Sequence, residues 1–438
     1  MESREIALQV LYKVDVEQGF SNIVLDQVLE NQSVSDLDKA FITELVYGVI
    51  SRKLTLDYII SKNSKIKPNK ISPWIHNILR MGIYQVCNLD KVPVSAACNE
   101  SVKLARKYGH QASAGFVNAI MRNISRNPNQ LEGLESLPQI ERISILYSHP
   151  KWLVEKWTKQ YGAQFTEKLC EANNQRPRTA IRVNALKTGV QEVKRMLEEI
   201  DVSTVQSNYV SEALVLKKGS PMNQIYKDGF YTVQDEAAML VSEALNPTPG
   251  QTIADVCAAP GGKTTHIAQL MQNKGRIIAM DIHEHRVELI KKTAQRLGIN
   301  IIDTKAQDAT VLDQSLVDQC DGVLVDAPCS GFGVLRRKPE IKWDQDKQDL
   351  KDLRDLQAKI LMTASKYVKT KGRLVYSTCT LNQDENENIV QSFLKENKDF
   401  VLEPVKFEMF QIENEGMVTL YPNIHGMDGF FISVIKRR

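Results

Sequence analysis

Nowhere do the 438 residues hold an apolar run near the roughly 20 residues that a membrane-spanning helix needs. The first residues, Met1-Glu-Ser-Arg-Glu-Ile6, carry no signal-peptide apolar core. A cytoplasmic chain without a membrane partner is the expectation. The seven cysteines, at 87, 98, 170, 257, 320, 329 and 379, are odd in number and contain no Cys-x-x-Cys pair, and the seven histidines contain no His-x-x-x-His. A disulfide framework and a zinc site are therefore both disfavoured, and no metal is expected. Also missing is the dinucleotide fingerprint Gly-x-Gly-x-x-Gly, since Gly331-Phe-Gly333 is followed by Arg336 at the third position. Internal repeats and low-complexity segments are absent.

What is present reads as a soluble globular protein. Hydrophobic residues make up 42% of the chain and charged residues 25%, and the length suggests about two to four domains. Fifty-six Lys and Arg face 53 Asp and Glu, a net charge of only +3. The distribution is uneven, because Ser51 to Arg126 holds 13 Lys or Arg against 3 Asp or Glu. Such a stretch suits a polyanionic partner, since Lys and Arg gain affinity for phosphates by releasing counterions; a solvated helical surface explains the composition equally well.

The first 130 or so residues read as helix throughout, with apolar residues at helical spacing: Ile6, Ala7, Val10, Leu11 and Val14, then Phe41, Leu45, Val46, Val49 and Ile50. Pro73 and Pro93 suit first-turn positions. The stretch Lys91-Val-Pro-Val-Ser-Ala-Ala-Cys-Asn-Glu-Ser-Val-Lys-Leu-Ala-Arg-Lys-Tyr108, with Gly115-Phe-Val-Asn-Ala-Ile-Met-Arg122, resembles the NusB antitermination-factor family. That resemblance implies an all-α, RNA-binding helical domain over residues 1–130, with no obligate protein partner inferred.

Asn127-Pro-Asn-Gln-Leu-Glu-Gly133 reads as a linker. Residues 141–233 follow as a small α+β (RRM-like) module: helices around Trp152 and Phe165, a strand at Thr179 to Val183, a helix through Val193 and Leu197, and strands at 202–205 and 213–216. Arg176, Arg178 and Arg182 suit RNA contact or solubility. From 234 to 438 strands alternate with helices: Thr252 to Val256, a helix from Thr264, Arg276 to Met280, a helix from Glu284, Ile301 to Thr304, Val323 to Val325, a long helix from Asp346 to Val368, and Leu374 to Tyr376. This order predicts an α/β Rossmann-like domain on a parallel sheet, which makes the whole chain multidomain.

Two cysteines stand just beyond predicted strands of that sheet, Cys329 in Asp326-Ala-Pro-Cys-Ser-Gly331 and Cys379 in Ser377-Thr-Cys-Thr380. Open α/β sheets place their ligands at the carboxyl ends of strands, so both thiols are candidate nucleophiles. Asp255-Val-Cys-Ala-Ala-Pro-Gly-Gly-Lys-Thr-Thr-His266 is a strand end, a Gly-Gly loop and a helix start, a shape that lets a ligand approach the backbone. A nucleoside triphosphate is one candidate, because Gly262-Lys263-Thr264 ends like a P-loop. A P-loop, however, needs Gly where Cys257 stands, and Pro260 removes a phosphate-binding N–H. S-adenosylmethionine fits better, with Asp281 ending the second strand 26 residues after Asp255 and Asp308 following the third.

Together with Arg336-Arg-Lys-Pro-Glu-Ile-Lys-Trp343 and Gly426-Met-Asp-Gly-Phe-Phe431, these motifs resemble the RNA cytosine-5 methyltransferase family. A NusB-like domain fused ahead of them is similar in architecture to the family's bacterial 16S rRNA members. The resemblance implies S-adenosylmethionine-dependent methylation of C5 of a cytosine, of the 967 class, in 16S rRNA, met as naked RNA or as an early small-subunit intermediate. It places the cofactor against Cys257, Ala258, Ala259, Pro260, Gly261, Gly262, Lys263, Asp281, Arg286, Asp308 and Asp326. Chemistry alone leaves open which thiol attacks C6 of the base. RNA enzymes of the family attack with the Thr-Cys cysteine, which maps to Cys379, while Cys329 resolves the adduct. Arg336, Arg337, Lys338 and Lys342 read as an RNA-facing segment, with Trp343 packing.

Overall fold

A computed structural model describes residues 2–30, 34–127, 129–344 and 347–438. The chain divides into two compact units, Met1–Gln175 with Leu335–Asp344, and Arg176–Val334 with Gln345–Arg438. No helix among the described residues is long and apolar enough to cross a membrane.

The first unit is helical because its apolar residues recur on one helical face. In Ser3–Val16 the buried apolar set is Ile6, Ala7, Leu8, Val10 and Leu11. Pro73 opens Pro73–Asn88, where its missing N–H would have no partner anyway, and Pro93 precedes Val94–Tyr108 as its cap. Ile78, Leu79, Met81, Val117 and Ile120 join a single core cluster, each fully buried aliphatic side chain stabilising by roughly 1.5–3 kcal/mol. Arg80 lies inside this unit, 4% exposed, between Asp57 and Asp15 at 2.7 and 3.0 Å. Burial works against the charge on Asp57, yet His76 and Arg80 hold its carboxyl down at about 2. Helices Gln139–Tyr147, Lys151–Tyr161 and Ala163–Asn173 complete the unit. Gly133 takes a left-handed φ of 89° in the expected linker, whose Pro128 lies outside the described residues.

The second unit starts with four strands, β1 (Ala180–Val183), β2 (Ser203–Gln206), β3 (Ala213–Lys218) and β4 (Tyr231–Val233). They pair antiparallel in the order β2-β3-β1-β4, with helices Val190–Glu198 and Gln224–Lys227 between them, which is the ferredoxin-like β-α-β-β-α-β arrangement.

The larger sheet contains β5 (Thr252–Asp255), β6 (Arg276–Asp281), β7 (Ile302–Ala306), β8 (Cys320–Asp326), β9 (Val368–Thr378), β10 (Phe400–Leu402), β11 (Met417–Leu420) and β12 (Phe430–Arg437). Its order is β10-β12-β9-β8-β5-β6-β7, with β11 also on β12. β5 to β9 pair parallel, as alternating strand and helix predict, and Ile253, Ala254, Val323, Leu324, Leu374 and Val375 are buried at its centre.

The sheet departs from the expected all-parallel form at one edge. β12 runs antiparallel to β9, from Phe431 opposite Thr378 to Lys436 opposite Arg373. β12 is also antiparallel to β11, because the chain turns between them through the short Pro422–His425 helix, and a connection that short cannot supply the long crossover of a parallel pair. β9 begins before the expected Leu374, and positive φ at Lys371 accompanies a register shift against β8. The long helix spans Lys347–Ser365, while its expected start at Asp346 lies outside the described residues.

Candidate active site

Asp326 and Ser377 stand opposite each other in the parallel β8–β9 pair, so the loops leaving those strands emerge side by side. Cys329 lies three residues beyond one and Cys379 two beyond the other, and their sulfurs are 3.3 Å apart. Both thiols are half-buried. Backbone bonds grip the Cys379 loop: Gly333 N–H donates to Cys379 O at 2.9 Å and Gly429 N–H to Gly333 O at 2.8 Å. A Cβ on Gly333 would stand 1.9 Å from Gly429 O, so only glycine permits this crossing.

The hydrogen bond with Cys379 holds the Cys329 thiol well above its ordinary pKa, and burial and the charges of Cys379 and Glu385 push the same way. Either sulfur can donate the hydrogen bond between them. Lys263 donates to Asp326 Oδ2 at 2.7 Å, and Ser377 Oγ donates to Asp326 Oδ1 at 2.9 Å. Burial opposes the Lys263 charge, but Asp326, with Cys379 and Asp255 adding to it, keeps its pKa above the usual value. An ammonium thus stands within the field of both the carboxylate and the Cys379 sulfur.

The cofactor-loop candidates are brought together as well. β5 ends at Asp255, the backbone turns through Gly261 with a left-handed φ of 100°, and the Gly262–Leu270 helix starts there with unpaired N–H groups. Thr264 Oγ1 donates to Asp255 Oδ2 at 2.7 Å, while Asp255 Oδ1 is buried with no hydrogen-bond partner. Burial, with Asp326 nearby, raises Asp255 to about 7. Cys257 within the loop is likewise pushed well above its ordinary pKa by burial and the surrounding carboxylates, which makes it inert rather than nucleophilic. Asp281 accepts from His283 N–H at 3.2 Å and pairs with Arg286 at 3.2 Å; Arg286 also donates to Ala259 O, tying the ribose-side candidates to the loop. Asp308 is the least engaged, its Oδ1 receiving only the N–H and hydroxyl of Thr310, which lower its pKa.

The profile of the 16S rRNA methyltransferase RsmB/F family matches residues 242–436. That of the NusB family matches 1–126, and that of an RsmF/B-like ferredoxin-like domain matches 149–223. The probable ribosomal RNA small subunit methyltransferase B of Bacillus subtilis is 38% identical over 99% of this chain and 98% of its own. The chain belongs to the ribosomal RNA small subunit methyltransferase B family. Its Escherichia coli K12 member is 32% identical, again over 99% of this chain and 98% of its own. Among solved structures, PH0851 superposes with a TM-score of 0.84 at 28% identity, covering 100% of this chain and 99% of that one. An rRNA-methylating family built from a NusB helical domain, a ferredoxin-like module and a Rossmann-like domain is the architecture that the sequence suggested.

Several basic residues in this family member serve the fold. Arg182, read from the sequence as a residue for RNA or solubility, is fully buried, donating to Gly262 O at 2.8 Å, Gln269 Oε1 at 2.7 Å, Thr265 Oγ1 at 3.0 Å and Gln234 Oε1. It pins β1 of the ferredoxin-like module to the helix start of the cofactor loop, and burial lowers its pKa to about 9. A lone Arg within the apolar Thr179 to Val183 strand was the available signal. Arg178 donates to the carbonyls of His425 and Gly426. Lys342 does not face RNA. It is 2% exposed and donates to Ser51 O at 2.9 Å, while Trp343 packs on the helical core as expected. In the basic stretch 51–126, Lys53, Arg80, Lys103 and Lys107 pair with carboxylates, whereas Lys65, Lys67, Lys70, Arg106, Arg122 and Arg126 are exposed.

A cavity of about 600 Å³ lined by Glu212, Glu243, Arg373, Glu403 and Lys406 contains neither cysteine nor any cofactor-loop residue. Among the described residues no group of three or more His, Cys, Asp or Glu is placed to hold a metal ion.

Proposed function

We propose that this protein methylates C5 of one cytosine in 16S rRNA, of the 967 class, through a Cys379–C6 adduct that Cys329 resolves. The observation that carries the reading is the 3.3 Å approach of the two sulfurs at adjacent strand ends. Residues 1–130 act as the RNA-binding helical domain, 141–233 as the module leading into the methyltransferase, and 234–438 as the catalytic domain, in the cytoplasm and on naked rRNA or an early small-subunit intermediate.

The unpaired buried Asp255 oxygen and the open N–H groups beyond Gly261 fit a polar ligand laid along the loop. Residues 257–263 with Asp281, Arg286, Asp308 and Asp326 would hold S-adenosylmethionine, which supplies a methyl group as a cation equivalent to C5. Cytosine C5 is too poor a carbon nucleophile to accept it unaided. Addition of the Cys379 sulfur to C6 makes C5 enamine-like, and Lys263 and Asp326 stabilise charge at the base edge.

Once Cys379 is a thioether, its own hydrogen bond and charge no longer raise Cys329. Cys329 then loses its proton to solvent and takes the one on C5, while the Cys379–C6 bond breaks and its electron pair returns to sulfur. This step leaves Cys329 as the thiol and Cys379 as the thiolate. The target cytosine must be unpaired or flipped to reach the thiols.

Transfer of a tritiated methyl group from S-adenosylmethionine to unmodified 16S rRNA tests the reaction, with 5-methylcytosine mapped afterwards. Cys379→Ala is expected to abolish transfer and adduct, and Cys329→Ala to accumulate a covalent protein–RNA species. An adduct formed only by the Cys379 variant reverses the roles. RNA-stimulated phosphate release without methyl transfer makes the loop a nucleotide site instead.

A further inference from the structure

We propose that Glu385 is a positioning residue that sets the register between the two cysteine loops and so governs the resolution of the adduct; this rests on the two-cysteine reading above. Its side chain is completely buried, and an ionised carboxylate can only accept hydrogen bonds. Four donors converge on it. Ser330, the neighbour of Cys329, gives both its N–H, at 2.9 Å to Oε2, and its hydroxyl, at 2.5 Å to Oε1. Asn382, three residues beyond Cys379, donates to Oε1 at 2.7 Å. Gln357, from the Lys347–Ser365 helix, donates at 3.0 Å to Oε2 and through the same nitrogen at 2.9 Å to Pro328 O.

One carboxylate thus holds the loop of each thiol and the helix behind them. Two further contacts close the frame: Ser330 Oγ lies 2.7 Å from Thr380 Oγ1, and the backbone carbonyl of Glu385 accepts from Tyr376 OH at 2.6 Å. Glu385 touches no reacting atom. It acts through Cys329, whose sulfur must remain beside Cys379 during attack and reach the C5 proton afterwards, a geometry in which a shift near 1 Å is worth about 100-fold in rate. Its charge also contributes to holding the proton on Cys329 before attack.

Glu385→Gln keeps the volume but turns an N–H₂ toward donors that need an acceptor. Single-turnover reactions on unmodified 16S rRNA, with the covalent species followed on denaturing gels, separate formation of the adduct from its decay. The expected result is formation within roughly 3-fold of wild type, decay slowed at least roughly 10-fold, and unchanged S-adenosylmethionine affinity. Gln357→Met, which removes the donor shared with Pro328 and leaves the carboxylate in place, shifts decay in the same direction and carries the test if Glu385→Gln does not fold. Wild-type decay in the folded variants overturns the proposal, and so does a fall in formation and decay together in proportion to lost folded protein. Cys329→Ala run alongside distinguishes the two failures. If it traps no adduct, the two-cysteine reading is at fault; if it traps adduct and Glu385→Gln does not, only the positioning role is.

Discussion

Lys342 shows how a single residue escapes a reading based on its neighbours. In Arg336-Arg-Lys-Pro-Glu-Ile-Lys-Trp343 it looks like one of a run of RNA-facing cations, yet burial brings its pKa from 10.5 down to about 7. Between those values the unfolded chain binds the proton and the folded chain does not. Stability of the helical unit therefore rises with pH from about 7 to about 10.5 and is lowest below that window. Lys342→Met removes the slope while keeping the packing, so its melting temperature is expected to exceed wild type at about pH 6 and lose that advantage near pH 10. Thermal denaturation across pH checks this, and an unaltered slope contradicts the assignment.

Among the elements, the crossing of two loops is the tightest constraint on the site. Gly333 follows the Cys329 motif and Gly429 precedes β12, and their backbones meet where no side chain fits. Gly333→Ala forces the loops apart and pulls on the Cys379 carbonyl that Gly333 N–H holds. Methyl transfer is expected to fall by roughly 100-fold, with S-adenosylmethionine affinity little changed because the loop 257–263 keeps its own bonds, from Ala258 N–H to Met280 O and from Lys263 to Asp326. Isothermal titration beside the transfer assay separates the two effects. The antiparallel run of β12 belongs to this scale as well: with Phe431 opposite Thr378 it starts at the carboxyl end of β9, just after Gly426-Met-Asp-Gly429, and alternation of strand and helix carries no information about the direction of that strand.

At the scale of the whole molecule, the chain leaves the methyltransferase unit after Val334, contributes Leu335–Asp344 to the helical unit, and returns. Glu340 accepts from both the N–H and the hydroxyl of Ser21, and Trp343 Nε1 donates to Ile50 O at 3.1 Å. Because the chain divides into two compact units, unfolding in two calorimetric transitions is expected. Trp343→Ala should destabilise the helical unit by roughly 1–3 kcal/mol and leave the other transition in place, although residue 343 lies in the sequence of the methyltransferase half. A shift of the second transition instead would assign the segment to the wrong unit.

The parts of the candidate site were legible in the sequence wherever their residues are contiguous. Asp255 to His266, Asp326 to Gly331 and Ser377 to Thr380 each carry strand, turn and functional group within a dozen positions, because a strand end and the loop after it are local structures. The order of helical, ferredoxin-like and Rossmann-like parts followed from periodicity and resemblance for the same reason. What only the tertiary structure decided is which distant polar groups meet. Glu385 joins loops whose cysteines are 50 residues apart, Arg182 pins one sheet to a helix 80 residues on, and Lys342 turns inward to a carbonyl 291 residues back. A buried charge and an exposed one have the same letter in a sequence. Their difference lies in desolvation and in partners that only packing brings within 3 Å.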